Sequence, residues 1–295
     1  MERIRLIAMD MDGTLLSRAP EGIPPTNAEA LRTAAEQGIH LAIASGRLPD
    51  DAGFFALDAG VPMHVLALNG GVTLMEPQGE ALDTRFMEEK AARRTRQMIE
   101  EAGLAYSLFS VHDLALSEPM KNPRREMIWY GTHLDRPGSR TQLWQEPERI
   151  EPLMERVSKY VVISEERPEA LAKLKARLDA EVPEVEVTSS WGNNIEIMPA
   201  GMNKGVALTA LAGRLGISME QVMAIGDHDN DVSMLDAAGC AVAMANGSPA
   251  AKAAAHWIAP TNTQCGVAAA IRGLALGDGE AMLQLREGLR HNLLK

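Results

Sequence analysis

Four short polar stretches carry the residue types that do chemistry in this chain of 295 residues. Asp10-Met11-Asp12-Gly13-Thr14 places two carboxylates one residue apart, directly behind the strand-like run Ile4 to Met9. An ionised carboxylate beside a buried strand is costly unless a cation or hydrogen-bond donors replace its water. Ser45-Gly46-Arg47, Asn203-Lys204-Gly205 and Gly226-Asp227-His228-Asp229-Asn230-Asp231 complete the set. Acids gathered at one point repel each other unless a hard cation joins them, and all-oxygen ligation by carboxylates suits magnesium. Such a magnesium keeps waters and reaches out to a substrate phosphate. Ser45, the backbone amides of Gly13 and Gly46, and Lys204 at a helix start are the matching donors for that phosphate.

The elements around these stretches alternate. Ile4 to Met9, His40 to Ala44 and Val65 to Leu68 read as strands, separated by helices over Thr26 to Gln37, with Thr26 or Asn27 as its cap, and over Pro49 to Ala59. The pattern returns with a helix over Asn203 to Leu215, a buried strand over Val222 to Ile225, a helix over Asp231 to Ala238 and a strand over Ala241 to Ala243. This is the signature of an α/β fold, a doubly wound Rossmann-like parallel sheet, in which ligands bind beyond the carboxyl ends of the strands. Asp10 and Asp12, Ser45-Gly46-Arg47, Asn69-Gly70-Gly71 and Gly226 to Asp231 all stand at such strand ends, and Lys204 stands at the start of a helix.

Between these halves the chain is richer in charge. Met87 to Ala102 and Pro168 to Glu181 read as helices, and Ala105 to Phe109, Tyr160 to Ser164, Val185 to Ser189 and Asn194 to Met198 as strands, antiparallel in character. Residues 1–82 and 197–276 are therefore expected to form one discontinuous core, 83–196 an inserted α+β cap domain, and 277–295 a C-terminal helical extension. In that extension Leu283, Leu285, Leu289 and Leu293 suggest an apolar stripe that packs on its own core or on another subunit. The proline-dotted segment Leu116 to Pro147 gives no assignable pattern.

Composition narrows the classes. A net charge of -11 argues against a nucleic-acid binder or a binder of anionic membranes, because both need a basic face. Cys240 and Cys265 make neither a disulfide framework nor a CxxC pair, which fits a reduced cytoplasmic protein. Asp10 and Asp12 interrupt the apolar N-terminal run before it could act as a signal segment, and no uncharged run reaches the roughly 20 residues a bilayer needs. A soluble, unprocessed chain, monomeric or homodimeric, is expected.

In their order, and with the insertion between the second and third, the four stretches resemble the motifs of the haloacid dehalogenase superfamily. The ending Val242-Ala-Met-Ala-Asn246-Gly247 resembles its Cof-type branch of sugar-phosphate phosphatases with a large α/β cap. The resemblance implies that Asp10 is the nucleophile forming an aspartyl-phosphate, and that Asp12 is the general acid and then base. It implies magnesium held by Asp10, the main-chain carbonyl of Asp12, and Asp227, with Asp231 close by. It also implies that Ser45, Gly46, Lys204 and Asn230 hold the phosphate. Cys265 departs from the Cof pattern, which usually has Asp in that segment.

Other readings stand beside this one. Asp-x-Asp-Gly alone is a common turn. The run Asp227 to Asp231 is not a calcium loop, since Val232 stands where Gly is needed and Ala238 where Glu is needed. His228 is expected to be a packing or cap-facing residue, and Arg47 either lines the phosphate pocket or forms an ion pair beneath its loop. Arg93, Arg94 and Arg96, interleaved with Glu residues, read as a solvated helix face. A small phosphorylated metabolite is the expected ligand, with specificity set by cap residues such as Lys121, Arg124, Trp129 and Asn193. The competing functions are a phosphomannomutase-like phosphotransferase on the same scaffold and a non-catalytic phospho-ligand sensor.

Overall fold

The computed structural model describes residues 3–17, 22–119, 136–189 and 193–293. Its strands in chain order are β1 (Leu6–Met9), β2 (His40–Ala44), β3 (His64–Ala67), β4 (Val72–Leu74), β5 (Ala81–Thr84), β6 (Tyr106–Phe109), β7 (Asp113–Leu116), β8 (Gln142–Trp144), β9 (Lys159–Ile163), β10 (Val185–Thr188), β11 (Asn194–Pro199), β12 (Val222–Gly226), β13 (Cys240–Met244) and β14 (Trp257–Ala259). The described α-helices are α1 (Pro25–Glu36), α2 (Pro49–Asp58), α3 (Glu89–Glu101), α4 (Pro168–Glu181), α5 (Lys204–Arg214), α6 (Val232–Ala237), α7 (Pro249–Ala254), α8 (Gly266–Ala270) and α9 (Gly279–Leu293).

Two compact units result, one of Met1–Gly46, Ala52–Leu82 and Asn203–Lys295, the other of Arg47–Asp51 and Asp83–Met202. The larger sheet runs β14-β13-β12-β1-β2-β3-β4-β5, with the first six strands parallel and β4 antiparallel to β3. β1 lies near its middle, buried on both faces, so Leu6, Ile7, Ala8 and Met9 are all fully buried. Strands covered on both sides read as unbroken apolar runs, which is why this one is legible in the sequence. One face of the sheet packs Leu6, Ala8, Ala42 and Ala224 against Leu208 and Leu211 of α5 and Met234 and Leu235 of α6. The Rossmann-like α/β character expected of the sequence is present.

The second sheet runs β10-β11-β9-β6-β7-β8 and is antiparallel except for β7 with β8. Its strands alternate with period two, and Tyr106, Leu108, Tyr160, Val162, Ile195 and Ile197 meet Ala92 and Met98 of α3 and Leu171 and Leu174 of α4. On the outer side of α3, Arg93 pairs with Glu89 and Glu151, Arg94 with Glu181, and Arg96 with Glu100 and Glu151, all at the surface. That is the solvated face its charge pattern suggested.

Several local expectations are corrected. Neither Thr26 nor Asn27 caps α1, because Pro24 precedes the helix and takes the cap position. Asn27 is buried inside the helix, donating to the Leu15 carbonyl at 3.0 Å and accepting from the Ala268 amide at 3.1 Å, which braces the loop after β1. The expected helix from Asp231 starts instead as a tight 3-10 turn over Asp229–Asp231 before α6. The cause is the Asp231 carboxylate, which turns back onto the amides of Asp227 and His228. β4, β5, β14 and the short helices α7 and α8 were not legible. In α9, which packs along β14, Leu285 is buried while Leu283 faces solvent, since residues two apart do not share a helix face. The side chains of Leu289 and Leu293 lie outside the described residues.

Candidate active site

β1 and β12 are neighbours where the chain order reverses, with β2 and β3 to one side and β13 and β14 to the other. Such a switch point opens a crevice beyond the carboxyl ends of the strands. Asp10 follows β1 there, its amide donating to the Ile225 carbonyl at 2.9 Å, and Asp227 follows β12. Gly13 turns the chain with φ +85°, and a Cβ at that position would lie 2.3 Å from Oδ2 of Asp227. Glycine both permits the left-handed turn and clears space for that carboxylate. Asn246, just past β13, donates to the Gly13 carbonyl at 2.8 Å and steadies the turn.

One carboxylate oxygen from each of Asp10, Asp227 and Asp231 lies within 4.8 Å of the other two, and all three residues are buried. Among them sits Lys204, fully buried in the first turn of α5, its Nζ 2.5 Å from Oδ1 of Asp10 and 2.6 Å from Oδ1 of Asp231. The other Asp231 oxygen accepts from the Asp227 amide at 2.8 Å and the His228 amide at 3.0 Å. Thr14 donates its hydroxyl to Oδ1 of Asp227 at 2.6 Å.

Three carboxylates around one ammonium leave the cluster short of positive charge. Burial pushes the Asp10 carboxyl well above the usual carboxylate range; the Lys204 charge opposes this, while Asp231, Asp227 and Asp12 add to it. Burial also lifts Asp227 to about 6, against the Thr14 hydrogen bond and the Lys204 charge. For Lys204 burial acts the other way, but the charges of Asp10 and Asp231 outweigh it and hold the ammonium above its ordinary value. A buried all-oxygen donor set with a proton-hungry charge deficit fits a hard divalent cation rather than a soft one.

The remaining residues predicted from sequence, Asp12, Ser45, Gly46 and Asn230, follow β1, β2 and β12. Ser45 is buried after β2, with its amide on the Leu66 carbonyl and its own carbonyl accepting from the Asn69 amide; Gly46 follows, half-buried. Asn230 is half-buried and donates to Oδ1 of Asn69 at 3.2 Å. Asp12 is exposed on the loop after Asp10, and its carboxylate is not in the oxygen cluster; nor is His228. Of the two readings of Arg47, the ion pair is present, at 2.5 Å to Asp51 with both side chains buried. Cys265 adopts φ +54° and is half-buried. Asn193 is exposed, while Lys121, Arg124 and Trp129 lie outside the described residues.

Thr14, Asn69 and Asn246 stand within the motifs, but nothing local marks their roles, because their partners are remote in sequence. Asp50 was missed altogether. It is 3% exposed and accepts from the Arg140 amide at 2.6 Å and the Thr141 hydroxyl at 3.1 Å. A helix-opening Asp is so ordinary that no sequence signal marks it.

The haloacid dehalogenase-like hydrolase family model matches residues 7–271. Pyridoxal phosphate phosphatase YbhA of Escherichia coli (strain K12) is 30% identical over 267 residues, covering 90% of this chain and 96% of its own length. The 5-amino-6-(5-phospho-D-ribitylamino)uracil phosphatase YcsE of Bacillus subtilis (strain 168) is 29% identical over 272 residues, covering 91% and 95%. A solved haloacid dehalogenase-like hydrolase from B. subtilis superposes with TM-score 0.79 at 26% identity, covering 92% of this chain and 100% of that one. With its acids at the switch point of a doubly wound sheet, the chain belongs to the haloacid dehalogenase-like hydrolase family, in its Cof-type phosphatase branch, and is a phosphoric monoester hydrolase.

Proposed function

We propose that the protein is a magnesium-dependent phosphatase of a small phosphorylated metabolite, a sugar phosphate above all, working through an aspartyl-phosphate on Asp10. The observation that carries this reading is the buried Asp10, Asp227, Asp231 and Lys204 cluster. Asp10 and Asp227 would hold the cation with the Asp12 main-chain carbonyl. Asp231, whose oxygens are engaged by Lys204 and two amides, would fix the lysine and the loop. Magnesium, when bound, supplies charge that offsets the repulsion between anionic nucleophile and anionic phosphate.

In the first step an Asp10 carboxylate oxygen forms a bond to phosphorus as the bond from phosphorus to the substrate oxygen breaks. Asp12, exposed at the mouth of the loop, gives its proton to that leaving oxygen. In the second step water attacks the phosphorus and passes a proton to Asp12, the bond to Asp10 breaks, and phosphate departs. Ser45, the Gly46 amide, Lys204 and Asn230 hold the oxygens that transfer. Such reactions depend chiefly on positioning and charge neutralisation, so these donors matter as much as the nucleophile.

The relatives named for pyridoxal phosphate and for a phosphoribitylamino-uracil support a small phosphorylated metabolite and widen the panel worth testing beyond sugar phosphates. Two unpaired cysteines support a cytoplasmic setting. Phosphate release from p-nitrophenyl phosphate and from a metabolite panel with magnesium tests the reading; Asp10→Asn is expected to abolish turnover with the fold intact. Turnover retained by Asp10→Asn would sink it. Isomer formation from a hexose phosphate without phosphate release would favour the mutase.

A further inference from the structure

Directly after β3 the backbone does something unusual. Leu68, Asn69 and Gly70 adopt φ of 51°, 56° and 96° in succession. A left-handed conformation is costly for an ordinary residue, because its Cβ crowds the following carbonyl oxygen. Asn tolerates it best among the non-glycines, whereas for a bulky residue such as Leu it is an outlier. Strain of this kind persists only where the surroundings over-determine it, and it concentrates at functional sites.

The surroundings here are the three segments that the proposed function needs together. The Asn69 amide donates to the Ser45 carbonyl at 2.9 Å. Oδ1 of Asn69, a residue 1% exposed, accepts from Nδ2 of Asn230 at 3.2 Å. A Cβ on Gly70 would lie 2.6 Å from the carbonyl oxygen of Asn203, the cap of α5 that immediately precedes Lys204. Ser45, Asn230 and Lys204 come from loops far apart in sequence, and the strained segment touches the backbone or side chain of each loop.

We propose that Asn69 is a positioning residue for the phosphate, setting the Asn230 amide through its side chain and the Ser45 loop through its backbone. This rests on the reading of Ser45, Lys204 and Asn230 as the phosphate-holding set. Its strained φ is what lets one residue face two loops at once: the amide points to Ser45 while the side-chain carbonyl reaches Asn230.

Asn69→Gly isolates the side chain, because glycine keeps the amide and suits a left-handed φ. The probe is inorganic phosphate, titrated calorimetrically into the magnesium-loaded protein. Loss of one aligned polar contact predicts phosphate binding roughly tenfold weaker in Asn69→Gly. Magnesium affinity, which depends on Asp10 and Asp227, should stay within about twofold, a split that general damage to the fold would not produce. Asn230→Ala provides the second arm, and the double variant should bind phosphate as Asn230→Ala alone does, since the Asn69 side chain acts through that amide. Phosphate bound by Asn69→Gly as tightly as by the wild type, or effects that multiply in the double variant, would overturn the inference while leaving the functional reading intact. A wild type that binds no phosphate at all would overturn both.

Discussion

Nζ of Lys204 stands 2.5 Å from Oδ1 of Asp10 across 194 positions of sequence, with the lysine fully buried and the aspartate side chain 10% exposed. Isolated, either charge would be costly in that interior. Together with Asp231 they form a buried triad in which the lysine is the single cation for two acids.

Removing that cation should therefore do more than remove a phosphate ligand. Lys204→Met leaves Asp10 and Asp231 facing each other uncompensated. It is expected to abolish turnover and to cost about 3–5 kcal/mol of stability, the usual range for breaking a buried pair. Chemical denaturation without added metal measures this, and stability equal to the wild type would contradict the triad.

Thr14 is expected to act through Asp227, whose Oδ1 receives its hydroxyl at 2.6 Å. That bond favours the charged carboxylate, so Thr14→Val should raise the Asp227 pKa further and weaken magnesium binding, with a stability loss of about 1–3 kcal/mol for the orphaned acceptor. Thr14→Ser keeps the hydroxyl and should restore both. Calorimetric titration of magnesium into the two variants decides the matter.

The pH dependence has a definite sign. Burial raises Asp227 to about 6 in the cation-free protein, above the carboxylate's ordinary value of 3.8. The folded state then holds a proton that the unfolded state has already released. This contribution favours the metal-free fold at low pH and is lost as pH rises from about 4 to about 6. Bound cation must displace this proton and the one that burial favours on Asp10, so magnesium affinity should fall by about tenfold or more per pH unit as pH drops below about 6. Thermal shifts with and without magnesium between pH 5 and 8 test this; a magnesium-induced shift that does not change with pH would contradict it.

Gly13 has two reasons to be glycine, its φ of +85° and the Asp227 carboxylate that occupies the space of a Cβ. Gly13→Ala should cost about 1–2 kcal/mol from the backbone alone. It should also push Asp227 out of line, reducing activity at limiting magnesium more than at saturation. A magnesium activation curve unchanged from wild type would refute the second effect.

Legibility tracked how local each signal was. Asp10, Asp227 and Lys204 could be picked out because each follows or opens an element whose apolar pattern is continuous, and because a doubly wound sheet gathers such ends by its topology. Asn69 could be seen as a turn but not as a bridge, since its partners Ser45 and Asn230 lie in other loops. Asn27 looked like a cap and proved to be a buried brace, because Pro24 already opened the helix. Arg47 is ambiguous in sequence although its ion-pair partner Asp51 stands only four positions away, because a pocket-lining arginine has the same local pattern.

The sequence by itself determined the alternation of strands and helices, the order of the polar stretches and the chemical types brought to the strand ends. Those follow from side-chain periodicity and backbone freedom, which are properties of neighbouring residues. Only the tertiary structure decided that one lysine serves two acids, that Asp231 spends an oxygen on two amides, and that a left-handed Asn69 joins two loops. Distances between remote segments are set by how sheets and helices pack, and charge balance in a buried site depends on those distances.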